Sequence, residues 1–243
     1  MSAYAKISNV LFLDVETVPC YDDYEKLEQR FKDLWVTKSR KYSNYEEGTP
    51  EELYFRKAGI HAEFAKIVTI SVGFVKEKPD GGGLFFRGKT FYSHNEKEIL
   101  TAFAELLNSS YNQPDKHILC AHNGIEFDFP FIARRMMIND IALPRLLDVA
   151  GSKSWNNKWL VDTMDLWRFG DIKEKTSLEL MAACFNIPTP KNDISGKDVA
   201  HVYYQENDLE RIARYCMNDV VTMAKLYLKF RGLPAFKDED VQV

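Results

Sequence analysis

No stretch of this 243-residue chain approaches 18 consecutive apolar residues, and its N-terminus has no basic segment leading into a long apolar run. Neither a membrane span nor a secretory signal is expected, so the chain reads as a soluble cytoplasmic protein without a membrane partner. Cysteine is scarce and scattered. Cys20, Cys120, Cys184 and Cys216 form no Cys-x-x-Cys pair, which argues against a zinc ribbon and a disulfide framework and points to core or near-core thiols. Excess positive charge is missing too, the formal net charge being −4. That balance lacks the footprint of a tight, non-specific nucleic-acid binder, although acids gathered in one site lower the total without removing a local basic rim. Phosphate-loop glycines are absent in the sense that matters: Gly81-Gly82-Gly83 lies between two strand-like runs, whereas phosphate cradles open a helix with GxGxxG or GxxxxGK spacing. No repeat or low-complexity linker divides the sequence.

What is present is enough apolar residue, 45%, to fill a substantial core. β-branched and apolar runs predict strands at 9–17, 67–75, 84–92, 117–121 and 159–164, with the second and third joined as a hairpin across the glycines. Helical spacing and caps predict helices at 95–107, 127–138, 177–185 and 208–230. Residues 21–65 look like a charged insertion. Within it Leu27, Phe31 and Leu34 suit one face of an amphipathic helix, and Thr49-Pro50-Glu51-Glu52 has the cap, the first-position proline and the third-position glutamate of a helix start ending near Ala58. Tyr54 and Phe55 there are expected to cover core. A mixed sheet flanked by helices follows, as one α/β domain over residues 1–243.

The most informative chemistry is at the end of the first strand, where Asp14 and Glu16 in Leu13-Asp14-Val15-Glu16-Thr17 project to one face. Two like charges so close call either for solvent or for a bound cation. In Ala121-His122-Asn123-Gly124-Ile125-Glu126-Phe127-Asp128 a strand runs out and a helix begins, which puts Asp128 at a helix N-terminus, where an anion is favoured. In Tyr215-Cys216-Met217-Asn218-Asp219 the tyrosine and the last aspartate are four residues apart, hence on one helix face. Each fragment alone has a bland reading as a solvated or capping acid. Asp162 and Asp165 are explained equally by added negative potential or by helix capping.

Asp-x-Glu, then Asn-x-x-x-Phe-Asp, then Tyr-x-x-x-Asp, in this order, resembles the three motifs of the DEDDy 3′-5′ exonucleases of the ribonuclease H-like (DnaQ-like) superfamily. The likeness runs from Asp14 to Asp219 and is greatest to the proofreading domain of family B DNA polymerases and to standalone, PolB-like bacterial proteins predicted to be exonucleases. It implies a five-stranded sheet of order 3-2-1-4-5 with strand 2 antiparallel. It also implies two divalent cations, Mg²⁺ or Mn²⁺, on Asp14, Glu16, Asp128 and Asp219, of the kind that catalyse phosphodiester hydrolysis in pairs roughly 4 Å apart. By the same resemblance Tyr215 orients the attacking water, and the substrate is the 3′ end of a single nucleic-acid strand, DNA ahead of RNA. Val15, Thr17, Asn123, Phe127, Lys191 and Lys197 become candidates for holding that strand. For these the plainer readings stay open: a turn asparagine, a core phenylalanine, solvated lysines. Arg134 and Arg135 are weaker candidates still. No polymerase segment follows Val243, so proofreading in cis is not expected of this chain. The competing readings are a non-catalytic nucleic-acid-binding or interaction module that keeps the fold, and a small-molecule phosphatase, for which the nucleophilic aspartate motif is lacking.

Overall fold

The computed structural model describes residues 7–42, 47–153, 156–171, 173–189 and 194–243. Its centre is β1 (Val10–Pro19), whose residues Val10 to Leu13 are all at most 1% exposed, because both faces of the strand are covered. Strand periodicity sorts them. Leu11, Leu13 and Val15 enter one core with α3 (Glu96–Ser110) and α4 (Asp128–Ile138), while Val10 and Phe12 enter another with α8 (Leu209–Phe230). Asp14 and Glu16 have the parity of Phe12 and therefore face α8.

The sheet has six strands in the order β5-β4-β1-β2-β3-β6. β2 (Ala65–Glu77) and β3 (Leu84–Tyr92) form the expected antiparallel hairpin beside β1, with Phe12 opposite Gly73. That glycine is needed, since a Cβ there would stand 2.0 Å from the Phe86 ring. β4 (Ile118–Ala121) and β5 (Leu160–Asp162) run parallel to β1, so three strand ends open on the same edge, where open α/β sheets bind ligands. The expected order 3-2-1-4-5 is observed. To it β6 (Val241–Gln242) adds a sixth strand, parallel to β3 at Phe86 and Arg87. Two residues are too few to carry a period, and the sequence shows no trace of them.

Helix limits follow capping chemistry. Asn95, Ser177 and Asp208 each accept a backbone N–H at the starts of α3, α6 (Leu178–Cys184) and α8. The run read as a strand to residue 164 stops at Asp162, because its carboxylate caps α5 (Thr163–Arg168). α7 (Val199–His201) continues into a wide turn at Val202–Glu206.

The insertion between β1 and β2 carries α1 (Gln29–Ser39) and α2 (Pro50–Lys57), the latter opened by the expected Thr49–Glu52 capping box. It has its own small core of Tyr24, Leu27, Trp35, Tyr54 and Phe64, among others. The buried face of α1 differs from the one read from spacing. Leu34 is 50% exposed and Trp35 is fully buried, donating its indole N–H to the Pro50 carbonyl at 2.7 Å. Leu27 lies before the helix, so its phase does not carry into α1, and Trp35 sets the packing. Tyr54 is core as expected, whereas Phe55 is half-buried. Of the cysteines, Cys120 and Cys216 are buried but Cys184 is exposed.

Candidate active site

Each of the three sequence fragments ends at the same edge of the sheet. β1 presents Asp14 and Glu16 toward α8, and α8 presents Tyr215 and Asp219 one turn apart, with the phenol beside the Asp219 carboxylate. Asp128 is the first residue of α4 and only 2% exposed. Its carboxylate lies close enough to the backbone N–H of Val15, the residue between the two acids of β1, for that dipole to favour its charged form.

Asp128 is buried while Asp14, Glu16 and Asp219 are half-buried, and the four carboxyls are near enough to one another for their charges to interact. Burial is the largest cause of the pKa shift in every case. Asp14 is raised well above the usual carboxylate range, with Glu16, Asp128 and Asp219 adding to the effect. Glu16 is raised by burial and then by Asp219 and Asp128. Burial pushes Asp128 up to about 8 and Asp219 to about 6, the Tyr215 hydroxyl moderating the latter. Oδ2 of Asp14 is shut away from solvent with no hydrogen-bond partner. An uncompensated carboxylate oxygen away from water is unfavourable unless a proton or a cation meets it.

One ligand-type atom at the site was not anticipated. The Cys216 thiol donates to the Asp14 carbonyl at 3.4 Å, and its sulfur lies with ligand atoms of Asp14 and Glu16 inside a 4.8 Å group. Its only sequence signal was adjacency to Tyr215.

The loop before Asp128 is held by Asp162. Oδ1 accepts the N–H groups of Asn123 (2.8 Å) and Met164 (2.9 Å), and Oδ2 accepts that of Ile125 (3.1 Å). Asn123 takes a left-handed backbone, φ 60°, a conformation asparagine tolerates. His122 pairs with Thr163 Oγ1 at 2.9 Å and donates from Nε2 to the Thr176 carbonyl at 3.1 Å. Burial depresses its pKa to about 4, so it is neutral at pH 7. Of the two acids left open, Asp162 is a cap and a brace, and Asp165 pairs with Arg168 at 2.7 Å.

Beside the acids runs a cleft of about 570 Å³ whose lining includes Glu16, Thr17, Phe55, Ile60, Phe127 and Lys197. Val15 and Phe127 reach it, but the Thr17 hydroxyl is engaged, donating to the Gly59 carbonyl at 2.6 Å. Lys197 is exposed on its rim, and Lys191 lies outside the described residues. Arg135 is removed from the candidates. It is buried, bidentate to Glu96 at 2.6 and 2.9 Å, and donates to the Ala62 carbonyl, so it braces α3 and α4 and reaches no strand.

The family described as a predicted 3′-5′ exonuclease related to the exonuclease domain of PolB matches residues 59–240. The match takes in Asp128, Tyr215 and Asp219 and begins after β1, α1 and α2. Among solved structures, the family B DNA polymerase from the hyperthermophilic archaeon Pyrobaculum calidifontis is similar, with 15% identity and a TM-score of 0.54 over 90% of this chain and 24% of that one. The likeness is one of fold, and this chain spans about a quarter of that polymerase. No curated protein matches the sequence.

Proposed function

Because this chain belongs to the family of predicted 3′-5′ exonucleases related to the exonuclease domain of PolB, we propose that it removes 5′-mononucleotides from the 3′ end of single-stranded DNA, with RNA as the second substrate. Residues 1–243 would act as one exonuclease domain carrying the 21–65 insertion. The observation that supports this most is the approach of Glu16, Asp128 and Asp219 to Asp14, with Tyr215 beside Asp14, Glu16 and Asp219 and with Asp14 Oδ2 buried and unpartnered.

The donor set suits hard divalent cations, Mg²⁺ or Mn²⁺, which prefer carboxylate oxygen. Asp14, Glu16 and Asp219 would hold one ion, and Asp14 with Asp128 a second. When bound, such ions supply Lewis acidity that makes water a nucleophile at neutral pH and offsets charge on the departing 3′ oxygen. The remaining work falls to the chain. Burial and the neighbouring acids push the Tyr215 phenol above its ordinary range, so it stays protonated and orients water through its hydroxyl rather than acting as a base. Asp219 lies beside that hydroxyl. Placement of Asp128 at the buried first turn of α4, beside β1, would hold it toward the other carboxyls, which is the positioning contribution to rate. Water oxygen joins phosphorus, the P–O3′ bond breaks, and the shortened strand leaves with a new 3′-hydroxyl.

Incubating the protein with 5′-labelled oligonucleotide and Mg²⁺ or Mn²⁺ should give a ladder shortened from the 3′ end, abolished by Asp14→Ala. A folded sample that shortens no strand with any divalent ion would leave the non-catalytic module as the better reading. Parallel DNA and RNA strands decide the preferred polymer.

A further inference from the structure

The segment between β1 and β2 is too well built to be a passive excursion. Its capping box, its aromatic core around Trp35 and the Ala58–Ile60 turn place α2 against the end of β1. Three contacts seat it there: Thr17 Oγ1 donates to the Gly59 carbonyl at 2.6 Å, the Tyr204 hydroxyl donates to the Pro19 carbonyl at 2.5 Å, and the Phe55 ring lies 6.5 Å from that of Tyr204. Thr17 follows Glu16, so the turn adjoins the acids directly.

The consequence is a shared cleft. Phe55, Arg56, Lys57 and Ile60, from α2 and the turn after it, line the cleft together with Glu16 of β1, Phe127 before α4 and Lys197. Ile60 is 55% exposed and lines the cleft. The chemistry is that of a single-strand groove: aromatic and aliphatic faces for bases, and cations for phosphates, next to the acids. At about 570 Å³ it has the size of a small-ligand pocket, roughly 300–1,000 Å³, which suits a strand end and not a duplex. Residues Phe55, Arg56 and Lys57 lie before the stretch matched by the family, which starts at residue 59.

Resting on the exonuclease reading, we infer that α2 and the Ala58–Ile60 turn are the substrate-gripping wall of this protein, holding the nucleotides on the 5′ side of the pair that flanks the scissile bond and selecting single strands. Ile60 and Phe55 contact bases. Arg56, its guanidinium oriented by the Glu47 and Glu52 carbonyls, contacts phosphate.

The test is steady-state kinetics on a 5′-labelled 15-mer single strand and a dinucleotide, for the wild type, Ile60→Ser, Phe55→Ala and Arg56→Gln, each checked for a normal melting curve. Loss of one base contact corresponds to about a 5- to 20-fold rise in KM on the 15-mer, with kcat within about threefold, and a smaller effect on the dinucleotide. Arg56→Gln should reduce the slope of log KM against log salt by about 0.7. Because Ile60 is exposed, its variant folds whatever Phe55→Ala does. An active wild type with unchanged KM in Ile60→Ser and Arg56→Gln overturns the inference alone. Equal losses on 15-mer and dinucleotide also overturn it, as damage to the acids. A wild type that shortens nothing overturns the exonuclease reading and this inference together.

Discussion

Replacing Asp162 by alanine removes one carboxylate that accepts three backbone N–H groups at 2.8, 2.9 and 3.1 Å, in a residue 5% exposed. Each orphaned buried donor costs about 1–3 kcal/mol, and the Met164 bond is also the α5 cap, worth about 1 kcal/mol. These contributions do not add fully, because Asn123 and Ile125 are only half-buried and water can reach them. The carboxylate's own burial, which raises its pKa, offsets part of what its bonds contribute. A loss of about 3 kcal/mol is expected, or roughly 6–12 °C in Tm for a chain of this size. Asp162→Asn retains one accepting oxygen and turns the other position into a donor facing the Ile125 N–H, so it should lose about 1–2 kcal/mol. Urea denaturation at constant m measures both. Since the same loop carries Asp128, kcat on an oligonucleotide should fall with the stability order, by tenfold or more in the alanine variant. A loss below about 1 kcal/mol for Asp162→Ala, or equal losses in the two variants, would refute the brace.

Three further outcomes are expected. Asp14 holds its proton in the folded state at pH values where the unfolded chain has lost it, so metal-free stability falls as pH rises from about 4 through its raised pKa. Asp14→Asn should therefore be more stable than wild type at pH 8 without metal, by about 1–3 kcal/mol, and should lose the Mn²⁺-dependent rise in Tm seen by differential scanning fluorimetry. Tyr215→Phe keeps the ring and removes the hydroxyl beside Asp219, so kcat should drop about 100-fold while the Mn²⁺-dependent Tm rise persists; an unchanged kcat would remove Tyr215 from the mechanism. His61, depressed to about 4 by burial and by Lys41 and Lys38, shares a 2.7 Å hydrogen bond with the Tyr42 hydroxyl and is neutral at pH 7. The unfolded chain takes up that proton near 6.5, so the stability it contributes is complete above about pH 6.5 and is lost toward pH 4. About 1–2 kcal/mol should go after allowing for solvent screening, and His61→Gln should flatten that part of the profile in urea titrations.

How much of this was legible beforehand depended on how local the signal was. Strand alternation alone put Asp14 and Glu16 on one face, helical spacing put Tyr215 beside Asp219, and the Thr49–Glu52 box opened α2 where expected. The sheet order followed from the family resemblance, and the structure shows it. Arg135, a weak candidate for holding the strand, is a buried brace instead, because nothing local announces Glu96 as its partner 39 residues away. Leu34 and Trp35 are neighbours in sequence, and only contact with Tyr54, Phe64 and the Pro50 carbonyl decides which of them faces inward.

By itself, then, the sequence determined on which kind of element each acid sits and which near neighbours share a face, since periods of 2 and 3.6 are properties of the backbone; the grouping of the three fragments came from the family resemblance. Tertiary structure decided what those faces meet: that the face of Asp14 is the one α8 covers, that the start of α4 brings Asp128 near the two acids of β1, that Asp162 holds the intervening loop, and that α2 lines the cleft. Those are pairings between residues far apart in the chain, set by which apolar surfaces bury each other, and no local pattern encodes them.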